Sequence, residues 1–288
     1  MRNMGAYYVE KWSNDGLDFI DCDKVVCYAD FVGGATRDLD SAQNWLEGFE
    51  VCPNVEVQLV DNVTNAEMVP VLSDHQLILP CELATEEQVS GLYGGDVDAL
   101  TGMYSDAIQL VQDTLQMTGS PGSPYHAPLC ENVNPLYNPQ VTPNCTLFET
   151  GYKWVGDYFQ EFQSPLQFAA YFAENWMYQY LSNVEEWAFN GLTESQMMDL
   201  YSMFIESLWL GTNYWNSLAY SSQQLGYIVA SIDQYVNHAA VDGVPQAIDT
   251  KLVLLFSHDT NILYLRKLLD LNWIPIGYAN NVATPGGA

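Results

Sequence analysis

Two short loops hold the residues best suited to chemistry. At 252–261 the chain reads LVLLFSHDTN: an apolar run, Leu252 to Phe256, breaks off into Ser257-His258-Asp259-Thr260-Asn261, and a helical pattern begins at once. At 29–49 it reads ADFVGGATRDLDSAQNWLEGF, where a second apolar run ends in Asp30, Gly33 and Gly34 and leads to Arg37. Histidine moves protons at mild pH, and a carboxylic acid can deliver one to a leaving alkoxide. The planar fork of arginine suits a tetrahedral oxyanion. With His258 donating to a non-bridging oxygen, Arg37 holding the anion and Asp259 as the acid, the trio points to phosphoryl transfer, most simply hydrolysis of a phosphomonoester. Each residue also has a plainer explanation. A single arginine on a helix is usually a surface charge, and a His-Asp pair after a strand is often a helix N-cap, with Asp or Thr taking free N–H groups. His75, His126 and His238 carry no motif and read as structural.

The elements that must position these loops follow from hydrophobic periodicity. KVVCYA at 24–29, VEVQLV at 55–60 and the run before Ser257 read as strands. Leu39, Ala42, Trp45, Leu46 and Phe49 mark one face of a helix that stops after Gly48. Residues 24–60 therefore form a strand–helix–strand unit, the signature of a parallel α/β sheet. In such sheets ligands bind where the carboxyl ends of neighbouring strands converge. Helical patterns dominate the middle, at about 84–118, 150–162, 165–190, 194–208 and 212–239. The expected architecture is an α/β domain of residues 1–80 and 240–288, interrupted by a mostly α-helical domain at 81–239.

Composition narrows the function classes. Hydrophobic residues make up 48% and aromatics 13%, which indicates a folded chain. Its 36 acidic residues outnumber 8 basic ones, giving a net charge of −28, so nucleic acid and anionic membrane surfaces are excluded as expected partners. The only arginines are Arg2, Arg37 and Arg266, so any anion site draws on very few cations. No apolar stretch is long enough to span a membrane. The chain opens in mid-helix, with Met4, Tyr7, Tyr8 and Trp12 apolar, and ends on the turn ATPGGA. Both features predict a fragment.

The six cysteines fit no zinc pattern, because no Cys-x-x-Cys pair occurs. A disulfide between Cys130 and Cys145 would staple the loop they flank, Cys22 and Cys52 could also pair, Cys27 reads as a buried thiol and Cys81 has no evident partner. Disulfides imply an oxidising compartment. Asn62 and Asn144 lie in glycosylation sequons, which matter only on a eukaryotic secretory route.

FSHDTNI after an apolar strand resembles the C-terminal His-Asp motif of the histidine acid phosphatases, the branch of the histidine phosphatase superfamily that includes phytases. TRDLDSAQNWLEGF resembles that family's second block, with an arginine four residues before Ser-Ala. LNWIP…ATPGG is similar to the stretch that follows the His-Asp motif, and YADF and the placement of Cys22 and Cys52 fit as well. The similarity runs in order from about residue 4 to 288, loosely in the helical middle. It implies a phosphoglycerate-mutase-like α/β sandwich with an inserted α-helical domain. Arg37 then matches the phosphate-binding arginine, His258 the histidine that contacts the phosphoryl group, and Asp259 the general acid. The resemblance also implies disulfides Cys22–Cys52 and Cys130–Cys145, a partner for Cys81 beyond residue 288, and a secreted or periplasmic location. The expected substrate is a small phosphomonoester, phytate among the family's substrates, and no metal or organic cofactor is required.

One departure matters. The family's Arg-His-Gly-x-Arg-x-Pro block, whose histidine is the nucleophile, does not occur in these 288 residues. The expectation is that it lies upstream of Met1 and that the chain alone is nearly inactive. The alternative is a catalytically inactive relative that binds or packs, with Arg37 and His258 as a weak anion site. A metal-dependent hydrolase is disfavoured because His258-Asp259 shows no companion ligand cluster in the sequence.

Overall fold

The computed structural model describes residues 1–14, 21–31, 34, 36–60, 87, 90–91, 94–96, 99–117, 146–150, 153–154, 162–211 and 213–271. Helix α1 is Arg2–Asn14, strand β1 Val25–Asp30, helix α2 Arg37–Gly48 and strand β2 Val57–Val60. The middle of the chain supplies α3 Ala99–Met103, α4 Ser105–Thr114, β3 Lys153–Trp154, β4 Phe162–Gln163, α5 Pro165–Leu181 and α6 Glu194–Gly211. Then come α7 Tyr214–Asn237, β5 Leu252–Phe256 and α8 Asp259–Leu268. No described helix is long and apolar enough to cross a membrane.

Strands β2, β1 and β5 form a parallel sheet in that order. Side chains alternate across it. Val25, Cys27, Ala29, Leu254 and Phe256 join Trp45 and Phe49 of α2, with Tyr8 and Trp12 of α1, on one face. Val26, Tyr28, Val253 and Leu255 pack with Val60 on the other. Both faces are apolar, as a parallel sheet requires. Among the described residues, the disulfide Cys22–Cys52 ties the entry to β1 to the segment after α2. Lys24 pairs with Asp249, and the Lys251 N–H donates to the Lys24 carbonyl at 2.8 Å, which starts the pairing of β5 with β1.

The described residues within Met1–Pro80 and Tyr214–Ile274 form one compact unit, and those within Cys81–Asn213 form another. Helix α7 belongs to the sheet unit: it packs along α8, where Tyr220 stacks on Tyr264 with ring centroids 5.5 Å apart. The described residues from Tyr214 onward thus group with the sheet unit. Amphipathic spacing marks a helix but does not say which neighbour its apolar face meets. Buried glutamines on and after α7 hold the return to β5, with Gln234 Nε2 donating to the Gln246 carbonyl and Tyr227 Oη donating to Gln246 Oε1, both at 2.9 Å.

In the second unit α5 and α6 pack together over a core that includes Ile108, Leu166, Trp176, Leu200 and Met203. Ser164 caps α5, its Oγ accepting from the Gln167 N–H at 3.2 Å, and Pro165 occupies the first turn. Within the stretch expected as a helix at 150–162, the described residues 153–154 and 162 pair as a short ribbon instead. Lys153 and Trp154 pair antiparallel with Gln163 and Phe162; aromatic residues favour strands, and the glycines at 151 and 156 weaken the helical pattern of the sequence. His75, Cys81, His126, Cys130, Cys145, both sequons and the stretch from Asn272 onward lie outside the described residues.

Helices α1 and α2 cross at two glycines. A methyl group at Gly5 would run into the Trp45 carbonyl, and one at Gly48 into the Arg2 carbonyl. Arg2 also pairs with Glu47 at this crossing. Gly48→Ala is expected to lower the unfolding free energy by about 1–3 kcal/mol, the usual range for overpacking. Gly226→Ala on α7, with open space around it, should raise it by about 0.5–1 kcal/mol. Urea denaturation of the two variants checks the contrast; equal effects would remove the close crossing.

Candidate active site

The register of the central strand pair builds the site. Ala29 lies opposite Phe256, so Asp30 falls beside Ser257 and His258 follows one residue on. His258 has extended backbone angles, φ −80° and ψ 156°, and is the N-cap residue of α8. Asn261, fully buried, fixes this turn. Its Oδ1 accepts from the His258 N–H at 3.1 Å and from Ser257 Oγ at 2.6 Å, while its own N–H donates to the His258 carbonyl at 3.1 Å. The capping side chain is therefore Asn261, not Asp259 or Thr260. Asp259 is exposed, and its Oδ1 accepts the Thr260 N–H at 2.9 Å.

Helix α2 begins close to the end of β1 and brings Arg37 and Asp38 to the same place. His258 Nδ1 lies 3.4 Å from Asp30 Oδ2 and 3.7 Å from Asp38 Oδ2. Arg37 Nε lies 3.7 Å from Asp38 Oδ1, and its side chain is 70% exposed. The structure thus joins the loops of Arg37 and His258 through Asp38, and leaves Asp259 at the solvent edge of the same turn.

Asp30 and Asp38 are the site residues missed in the sequence, and both are buried. Two signals were available: an acidic residue closing the otherwise apolar KVVCYA run, and another directly after the singled-out arginine. The donor atoms of Asp30, Asp38 and His258 lie within 4.8 Å of one another. The residues are far apart in sequence, so only strand pairing reveals them. Burial raises the Asp38 carboxyl above its ordinary value; the charges of His258 and Arg37 pull it down, and Asp30 pushes it up. Cys27 is a free buried thiol, pushed up to about 12 by burial, and is unreactive.

A parallel sheet carrying these loops at the carboxyl ends of β1 and β5, with helical segments in the middle of the chain, is the α/β architecture of the phytases. The Hafnia alvei phytase in complex with tartrate superposes with a TM-score of 0.71 and 17% identity over 98% of this chain and 66% of that one. The phytase from Klebsiella sp. ASR1 gives 0.64 and 18% over 96% and 62%, and that from Citrobacter braakii 0.61 and 18% over 87% and 57%. The chain thus spans 57–66% of the length of these three structures. The sequence matches no protein-family profile and no curated protein.

Because the folded state raises the Asp38 value, it holds that proton more tightly than the unfolded chain does. The stability this contributes is complete below the unfolded value of about 3.9 and is lost as pH rises through the folded one. Asp38→Asn should therefore gain stability relative to the parent as pH goes from 3 to 7, read by thermal unfolding. A pH-independent difference would show that the carboxyl is not desolvated.

Proposed function

We propose that this chain belongs to the histidine acid phosphatases and carries the phosphate-binding and proton-donating part of a phosphomonoesterase site. The observation that carries this reading is the meeting of the Arg37-Asp38 and His258 loops at the carboxyl ends of paired β1 and β5. The fold shared with the phytases supports it, one of which is described in complex with myo-inositol hexakis sulphate, a multiply charged oxyanion.

In this reading His258 turns Nδ1 toward the carboxylates and presents Nε2 to a non-bridging phosphoryl oxygen. Arg37, largely exposed, swings its guanidinium onto the same anion. Asp259 keeps Oδ1 on the Thr260 N–H, so Oδ2 carries the proton to the leaving alkoxide as the phosphorus–oxygen bond breaks. In-line attack needs a nucleophile opposite that leaving group. The family's nucleophile is the histidine of the Arg-His-Gly-x-Arg-x-Pro block, and no histidine of this sequence stands in that context. Turnover through a phosphohistidine is therefore assigned to a site that includes that block, and anion binding to the residues present here. The same observation favours a second reading, a relative that binds phosphate esters without hydrolysing them. The Cys22–Cys52 disulfide supports an oxidising compartment.

Calorimetric titration with inorganic phosphate at pH 5 tests the binding role. Arg37→Ala and His258→Ala should each weaken binding about tenfold or more, since a hydrogen bond to a charged group contributes roughly 1.5–3 kcal/mol. Unaltered binding in both variants would overturn the reading. Hydrolysis of p-nitrophenyl phosphate from pH 3 to 7 tests the assignment of turnover: the chain and its Asp259→Asn variant should share the same background. Turnover that Asp259→Asn abolishes would place the nucleophile inside these 288 residues.

A further inference from the structure

We propose that Asp38 is a positioning residue for the anion site: its one carboxylate holds both Arg37 and His258, by nitrogens that the anion does not use. The inference rests on the phosphate-binding reading above. Asp38 Oδ1 lies 3.7 Å from Arg37 Nε, and Oδ2 lies 3.7 Å from His258 Nδ1. A guanidinium held at Nε keeps its two terminal amino groups, the fork that matches two oxygens of a phosphate. The partner of one imidazole nitrogen sets what the other can do, and carboxylates at Nδ1 leave Nε2 to the oxyanion. Asp30 Oδ2, 3.4 Å from Nδ1, supports the ring from β1. Asp38 does more, because it ties that ring to the arginine.

Such a brace answers a problem set by the composition. The chain has three arginines against 36 acidic residues. Arg2 pairs with Glu47, and Arg266 Nε donates to the Leu271 carbonyl at 3.2 Å. Arg37 is the one that lies in the two loops, and its side chain is 70% exposed. A long exposed side chain has many rotamers to lose when it binds, and carboxylates all around to wander to. Asp38 is nearly buried and fixed in the first turn of α2, so it keeps the guanidinium beside His258 and lowers the ordering cost of binding. Burial raises the Asp38 carboxyl above its ordinary value, so the charge that holds the two cations is lost as pH falls through the raised value. The groups facing it are Arg37 on its own helix, Asp30 of β1 and His258 at the start of α8. Strands β2 and β5 hold no titratable residue, and α1 crosses α2 at its opposite end, at Gly48.

The test is calorimetric titration of the whole chain with inorganic phosphate at pH 6 and pH 3. At pH 6 Asp38→Asn should weaken binding about threefold or more, with unchanged circular dichroism. Asp249→Asn, which removes a surface carboxylate paired with Lys24, should match the parent and so controls for the change in net charge. Added to Arg37→Ala, Asp38→Asn should cost less than it does in the parent, because one of its two arms is already gone. At pH 3 the parent and Asp38→Asn should converge, since the protonated carboxyl resembles the amide. Binding by Asp38→Asn at pH 6 that equals or exceeds the parent's would overturn the proposal. So would a loss that is the same with and without Arg37, or one that persists undiminished at pH 3. Parent-like binding in Arg37→Ala and His258→Ala would sink the phosphatase reading and this inference with it. Weakened binding in those two beside an unaltered Asp38→Asn would sink this inference alone.

Discussion

Parallel pairing between Val25–Asp30 and Leu252–Phe256 is the constraint on which the site depends. It joins two segments at opposite ends of the chain, so closing it carries a large loop entropy. Apolar burial on both faces of the sheet offsets that cost, with Trp45, Phe49 and the aromatic face of α1 on one side and Tyr28 with Val60 on the other. The register matters as much as the pairing. A shift of one residue would exchange the two faces of β5 and move His258 away from Asp30.

The site concentrates charge in a place that otherwise excludes it. Two buried carboxylates share one imidazole, and the Arg37 guanidinium lies 3.7 Å from Asp38 Oδ1. Burying such groups is costly unless they are compensated. The raised Asp38 value is one response, in which the group keeps its proton longer. Elsewhere the same unit uses neutral amides for buried polar contacts: Gln234 bridges the Gln246 carbonyl and the Val241 N–H, Gln246 joins the Tyr227 and Ser231 hydroxyls, and Asn261 accepts from the His258 N–H.

Much of this was legible in the sequence. The three strands, α2 and its end at Gly48, α8 and the Cys22–Cys52 bridge all follow from period, turn chemistry and family resemblance. Four things were not. Asp30 and Asp38 are ordinary acidic residues in a chain full of them, and only register shows which two meet His258. The capping role of Asn261 was hidden by Asp259 and Thr260, residue types that also cap helices. The placement of α7 depends on a tertiary partner, which a helical pattern does not name. The short β3–β4 ribbon lay beneath a pattern that fits helix or strand equally well.

The central claim is that Arg37 and His258 hold one phosphate between them. Soaking crystals of the chain at acid pH with tungstate, a tetrahedral oxyanion with strong anomalous scattering, locates the anion directly. The account predicts one anomalous peak within hydrogen-bond reach of both the Arg37 guanidinium and His258 Nε2, absent in His258→Ala crystals. A peak bound elsewhere in the sheet unit, or one that persists unmoved without the His258 ring, would contradict it.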